Sequence, residues 1–207
     1  VLSRRQRQMC IRDRNTTGLG KPLKLIDQPL RDEIPIYLAA VGLKNVEMTA
    51  EIADGWLPFM YSPLKGEEIY KDSLSSGFSK SGIADKKEKF EIVTTVIGRV
   101  CEEDEIDEYL YPARNIYTLY VGGMGAKSKN FYYNLFCEYG YEDIADDLQN
   151  LYLSGNKKES EKMFPKELLD ELTLVGTKKD IEKKIENWKE SNVCLLYTSP
   201  SPRDGRE

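Results

Sequence analysis

The chain has 207 residues, 40% of them hydrophobic, with 13 tyrosines, 6 phenylalanines, 2 tryptophans and a formal net charge of −5. That size and apolar content suit a globular domain and exclude a disordered chain, and an acidic body argues against phosphate-backbone binding, so no nucleic-acid partner is expected. There is no histidine, so Ser-His-Asp triads, Cys-His pairs and zinc sites are excluded. The cysteines, Cys10, Cys101, Cys137 and Cys194, lack Cys-x-x-Cys spacing, and no metal site is expected. Cys101 and Cys137 read as buried neutral thiols in a reducing cytoplasm. No run approaches the roughly 20 apolar residues of a membrane span, and the opening segment lacks the apolar stretch of a secretory signal.

The two ends stand apart from the body. Five arginines fall within residues 1–14, in "RRQRQMCIRDR", and the tail from Cys194 reads "CLLYTSPSPRD". Written in one choice of codons, Met9 to Arg14 gives a reverse complement that encodes Cys-Leu-Leu-Tyr-Thr, the start of that tail. Both ends resemble translated sequencing-library adapters. The expectation is therefore three segments: an adapter-like stretch 1–14, a natural domain 15–193, and an adapter-like stretch 194–207. The natural part reads as a piece of a longer gene.

In chain order, the apolar run Ile34–Val41 predicts a strand buried on both faces. "LKNVEMTAEIADG" places Val46, Ala50 and Ala53 at helical spacing, with Gly55 as its stop. "WLPFMY" reads as another strand, weakened by Pro58. A helix is expected over Glu67–Leu74, then a Gly/Ser/Lys-rich loop. "KFEIVTTVIGRVC" is the clearest strand signal. Helices follow over Glu105–Tyr120, Ser128–Tyr139, Tyr141–Leu153, Lys157–Met163 and Pro165–Leu172, with Tyr109, Ile116 and Tyr120 as a core stripe. The acids of "CEEDEIDE" suit the start of the first of these helices. Thr177 caps a last helix in a capping box with Asp180, and Ile181, Ile185 and Trp188 share its inner face. Strands alternating with helices indicate an α/β fold.

Two glycine-bearing loops invite attention. "AAVGLKN", Ala39–Asn45, is a strand end, a glycine and a helix start, where backbone N–H groups suit a phosphate or carboxylate; an ordinary βα turn has the same pattern. "YVGGMGAKSKN" follows a helix and lacks Rossmann or P-loop spacing, so it reads as a flexible helix connection. Tyr61, Ser62, Lys65 and Arg99 follow predicted strands and either face a pocket or lie on a solvated surface.

The block "GLGKPLKLIDQPLRDEIPIYLAAVGLKNVEMTAEIADGWLPFMYSP" closely resembles the luciferase-like flavin and deazaflavin oxidoreductases. "LYVGGMGAKSKNFYYNLFCEYGYEDIADDLQNLYLSG" and "LTLVGTKKDIEKKIENWKESNV" resemble the same superfamily, and together the blocks are similar to its coenzyme F420-dependent branch. The resemblance runs over almost all of Gly18–Val193. It implies a partial (β/α)8 TIM barrel, the C-terminal part with a helical insertion, offering roughly three of eight strands and exposed edges. It implies hydride transfer between F420 and an organic small molecule, with FMN as the alternative cofactor and a non-catalytic α/β binding module as the remaining reading. It implies cofactor contact at Ala40, Val41, Gly42, Lys44 and Asn45, Val41 standing where F420 relatives have a second glycine. Tyr61, Ser62 and Lys65 match a substrate-side loop loosely. The family's first strands, which carry the residues beside the deazaflavin ring, have no counterpart here, so no catalytic residue is assigned and no turnover is expected. The resemblance leaves a homo-oligomeric full-length protein open.

Overall fold

The computed structural model describes residues 33–126 and 129–198. The chain divides at Ile36 into two units, and every element below belongs to the second, which begins at Tyr37. The arginine run, Cys10 and residues 199–207 lie outside the described residues.

Two βαβ units open this second unit. Strand β1 (Tyr37–Leu38) leads to helix α1 (Leu43–Ile52), strand β2 (Gly55–Trp56), helix α2 (Gly66–Ser81), the single turn α3 (Lys86–Lys89) and strand β3 (Glu91–Val96). Strand β4 (Gly98–Val100) continues from β3. A helical insertion follows: α4 (Ile106–Gly123), α5 (Phe131–Phe136), α6 (Glu142–Leu153), α7 (Lys157–Met163) and α8 (Lys166–Leu172). Strand β5 (Leu174–Gly176), helix α9 (Lys178–Glu190) and strand β6 (Leu195–Thr198) complete it. One parallel sheet has the order β1-β2-β3-β6, with β1 and β6 at its edges, and a second pairs β4 with β5 in parallel. Among the described residues the sheet stays open.

The first strand is shorter than the apolar run Ile34–Val41 predicts. Strand β1 takes in Tyr37 and Leu38, and both are half-buried, because β1 is an edge with a strand on one side. "WLPFMY" likewise contributes only Trp56 to β2. Pro58, two residues on, has no N–H to extend the ladder. "KFEIVTTVIGRVC" divides into β3 and β4, which belong to different sheets. The four-stranded sheet takes three strands from residues 15–193; its fourth, Leu195–Thr198, falls in the stretch expected to be adapter-like and pairs with Val93–Val96.

Val46 and Ala50 of α1 and Ala53 at its end are buried as the spacing predicts, and Thr49 is buried beside them. It ends at Ala53, and Gly55 is a strand residue instead of a helix stop. A Cβ on Gly55 would sit 2.2 Å from the Tyr37 ring and 2.7 Å from the Glu91 carbonyl oxygen, so glycine is there for close strand packing. The buried Lys86 ammonium donates to the Ala53 carbonyl just beyond the end of α1 and lies 5.8 Å from the Phe90 ring centroid. Helix α2 runs past Leu74 to Ser81 through the segment expected as a loop. Gly77 inside it meets α1 directly: a Cβ would lie 2.2 Å from the Glu47 carbonyl oxygen.

The insertion holds much of the core. Leu110, Ala113, Tyr117 and Val121 form the buried face of α4, while Ile116 is exposed and Tyr109 and Tyr120 are half-buried; the core stripe lies on a neighbouring face from the one the aromatic spacing suggests. Gly122 and Gly123 close α4, not a loop, and pack against Tyr152. Between α5 and α6 the chain makes a π-type turn, Cys137–Tyr141, with Gly140 at φ 90°. The acids Glu103–Glu105 form a 3₁₀ turn ahead of α4, and Glu105 accepts from the Glu102 N–H. The Thr177–Asp180 capping box on α9 is present, and its hydrogen bonds hold the Asp180 carboxyl below its ordinary pKa. Ile181 and Ile185 are half-buried and Trp188 buried.

Candidate functional site

The loop leaving the C-terminal end of β1 opens into a cavity of about 580 Å³. One wall is the start of α1, from Val41 through Asn45, joined by Ile69 and Tyr70 of α2. The facing wall comes from the insertion: Phe131, Asn134 and Leu135 of α5, then Cys137 and Glu138 of the π-type turn.

Local chemistry fixes the first wall. Trp56, fully buried, donates its indole N–H to the Ala40 carbonyl at 2.8 Å and pins the strand end behind the cavity. Gly42 is the N-cap of α1 with extended backbone, and its carbonyl accepts from the N–H groups of Asn45 (2.8 Å) and Val46 (3.0 Å). Among the described residues no side chain caps this helix, and no acid lies in its first turn. The leading N–H groups and the positive end of the helix dipole therefore border the cavity. A Cβ at Gly42 would come within 2.8 Å of the Phe131 ring, so glycine keeps the two walls at their separation.

The second wall is anchored by Asn130. Its side-chain oxygen accepts from the N–H groups of Tyr132 (2.9 Å) and Tyr133 (3.1 Å), while its amide nitrogen donates to the carbonyls of Tyr120 and Val121. Burial raises the Cys137 thiol and the Tyr70 phenol above their ordinary values, so both line the cavity uncharged at neutral pH. The Cys101 thiol, away from the cavity, is also raised by burial. The arrangement is a cationic pole at α1 with Lys44 and Asn45, an apolar and aromatic middle, and one carboxylate, Glu138, on the far wall. Such a space suits a planar ring system with an anionic group at one end.

Of the residues singled out in the sequence, Val41, Gly42, Lys44 and Asn45 line the cavity together. Ala40 lies behind it through the Trp56 contact. Tyr61, Ser62 and Lys65 sit outside the lining, on the loop after β2. There the Tyr61 hydroxyl donates to Asn192 at 2.5 Å, the Ser62 hydroxyl donates to Glu171, and the Lys65 ammonium donates to the Tyr139 carbonyl at 2.6 Å. Arg99 lies over the Tyr109 ring, 5.1 Å from its centroid. The sequence reading missed Tyr70 and the whole wall from Phe131 to Glu138, which faces "AAVGLKN" from about ninety positions along the chain.

Neither a group of metal-binding side chains nor a helix long and apolar enough to cross a membrane occurs among the described residues. Residues 14–193 match the family model described as luciferase-like monooxygenase. The chain is 39% identical over 184 residues to a Mycobacterium tuberculosis protein provisionally named a coenzyme F420-dependent oxidoreductase, covering 89% of this chain and 52% of that protein. Its fold is similar to that of coenzyme F420 dependent tetrahydromethanopterin reductase from Methanopyrus kandleri, with TM-score 0.61, 16% identity, and coverage of 81% of this chain and 45% of that one. It is similar also to an F420-dependent secondary alcohol dehydrogenase in complex with an F420-acetone adduct, with TM-score 0.59, 15% identity, and coverage of 89% and 49%. The chain spans about half the length of the curated relatives it matches. The open parallel sheet, interrupted by a helical insertion, is accordingly part of a (β/α)8 barrel. With the match running through the cavity loop, the insertion and α9, the chain belongs to the luciferase-like monooxygenase family.

Proposed function

We propose that this chain is part of a coenzyme F420-dependent oxidoreductase and that the cavity takes the anionic, phosphate-bearing portion of that cofactor. The observation that carries the reading is the uncapped start of α1, open to a cavity of about 580 Å³ and flanked by Lys44 and Asn45. Backbone N–H groups and a lysine at a helix start supply charge-matched donors for phosphate oxygens. Gly42 lets the backbone come close, since any side chain there meets Phe131. The relatives named for F420 support the same cofactor.

F420, when bound, carries a hydride to or from an organic small molecule. This chain's own part is to bind and orient: α1 holds the anionic end, while Tyr70, Ile69 and Leu135 exclude water from the middle of the cavity. Tyr61, Ser62 and Lys65 stand on the substrate side, on the loop after the next strand. The setting is the cytoplasm, with residues 15–193 as the functional domain and a homo-oligomer open for the full-length protein.

Fluorescence titration of the chain with F420 and, separately, with FMN tests this. Saturable F420 binding that weakens at least severalfold in Lys44→Ala supports the reading. FMN binding without F420 binding replaces it with an FMN-dependent monooxygenase, and binding of neither replaces it with a non-catalytic α/β module.

A further inference from the structure

The loop from Met60 to Lys65 is tied to the cavity's second wall by one residue. Tyr139, buried in the π-type turn, donates its hydroxyl to the Met60 carbonyl at 2.5 Å and accepts from the Ser62 N–H at 3.1 Å. Its own carbonyl accepts from the Lys65 ammonium at 2.6 Å, and that ammonium also lies over the rings of Tyr139 and Tyr141, 5.9 and 5.5 Å from their centroids. Just before Tyr139, the same turn presents Cys137 and Glu138 to the cavity. Met60 is the one non-glycine residue with positive φ, 58°, among the described residues. A buried methionine in that conformation is strained and persists only where its surroundings hold it. The bond from Tyr139 falls on that residue's carbonyl.

We propose that Tyr139 is a positioning residue that couples the cavity wall to the Met60–Lys65 loop, so that a ligand seated against Cys137 and Glu138 orders the loop that carries Tyr61, Ser62 and Lys65. The coupling deepens the reading of the cavity as a cofactor site and rests on that reading for its ligand. π-type turns are frequent where a helix must re-aim side chains at a functional site. Here the turn directs Tyr139 away from the cavity while its neighbours face it. The Ser62 hydroxyl adds a second tie by donating to Glu171 of α8 while accepting from the N–H groups of Lys65 (2.8 Å) and Leu64 (3.2 Å). The backbone of the loop is thus held from the insertion, while the Tyr61 side chain packs edge-on to Trp56 of β2 and reaches Asn192 beyond α9.

Hydrogen–deuterium exchange of the 207-residue chain, with and without F420, compares wild type with Tyr139→Phe, which keeps the ring and removes the hydroxyl. Without ligand, exchange over residues 62–65 rises roughly tenfold in the variant, as expected for a buried N–H that loses its acceptor, while residues 42–45 exchange as in wild type. With F420, wild type gains protection over both segments and the variant over residues 42–45 alone. A merely structural tyrosine would loosen both segments together; that outcome, or unchanged exchange over residues 62–65, overturns the proposal. If F420 protects neither segment in wild type, the cofactor reading fails and the ligand-free comparison still decides the tie. Should Tyr139→Phe fail to fold, Lys65→Met carries the test through alkylation of Cys137 by iodoacetamide, followed on its peptide. A severalfold faster reaction supports the coupling, and an unchanged rate overturns it.

Discussion

The β1–β3 region and the helical insertion bury their residues in different ways. In the first, two strands have two residues each and the longest has six, so the sheet contributes few ladder hydrogen bonds. Its solidity comes from α1 against α2, where Gly77 brings the helix backbones together, and from Trp56 packed edge-on to Tyr70 at 4.8 Å. The insertion instead owns most of the large side chains that are wholly buried: Tyr117, Phe136, Leu148, Leu168 and Leu169. The cavity lies where the two meet. In the proposed cofactor site, the anion-binding backbone comes from one region and the shape from the other.

The largest effect that tests this contrast is in the insertion. Leu148→Ala removes a fully buried side chain and is expected to destabilise the chain by about 2–5 kcal/mol, read from chemical denaturation. A cost below about 1 kcal/mol would mean that the insertion is not the main core. Gly77→Val comes next. Its side chain would collide with the Glu47 carbonyl and Ala50, so overpacking of about 1–3 kcal/mol is expected. Because α1 and α2 both line the cavity, F420 binding should weaken with it, whereas intact binding would show that the helix contact does not shape the site.

Alkali supplies a third probe. Burial raises the phenols of Tyr70, Tyr117 and Tyr139, and that of Tyr132 is pushed up to about 12. Folded values above those of the unfolded chain give stability that is complete below about pH 10, where free phenols begin to ionise, and lost as pH rises through the folded values. The melting temperature should therefore hold up to about pH 10 and fall beyond it. Tyrosinate absorbance should appear together with unfolding for these residues. Ionisation of all tyrosines near pH 10 with the fold intact would contradict the burial. The smallest effect is Thr177→Ala, about 1 kcal/mol from a lost N-cap on α9, with F420 affinity unchanged because α9 does not line the cavity.

Local signals in the sequence carried α9 and α7 well. Thr177 and Asp180 stand three apart ahead of a one-sided apolar pattern, and Lys157–Met163 has the predicted bounds. The start of the cavity was legible for the same reason: a strand end, Gly42 and a helix start are contiguous. The rest depended on tertiary packing. Gly77 reads as a breaker in isolation, yet it extends α2 because α1 needs its missing side chain. The face of α4 was misplaced because Ile116, Leu119 and Tyr120 are apolar beside Tyr117 and Val121, so period alone does not select the buried side. The wall from Phe131 to Glu138 has no local mark of its purpose, since its partner residues lie in α1 and α2.

The most direct test of the account is amide NMR of the labelled chain during titration with F420. The account predicts that the N–H resonances of Leu43 and Lys44 shift most and saturate together with the fluorescence change, with Asn134 and Glu138 following. Shifts confined to surfaces away from α1, or saturation with the Leu43 and Lys44 resonances unmoved, would contradict it.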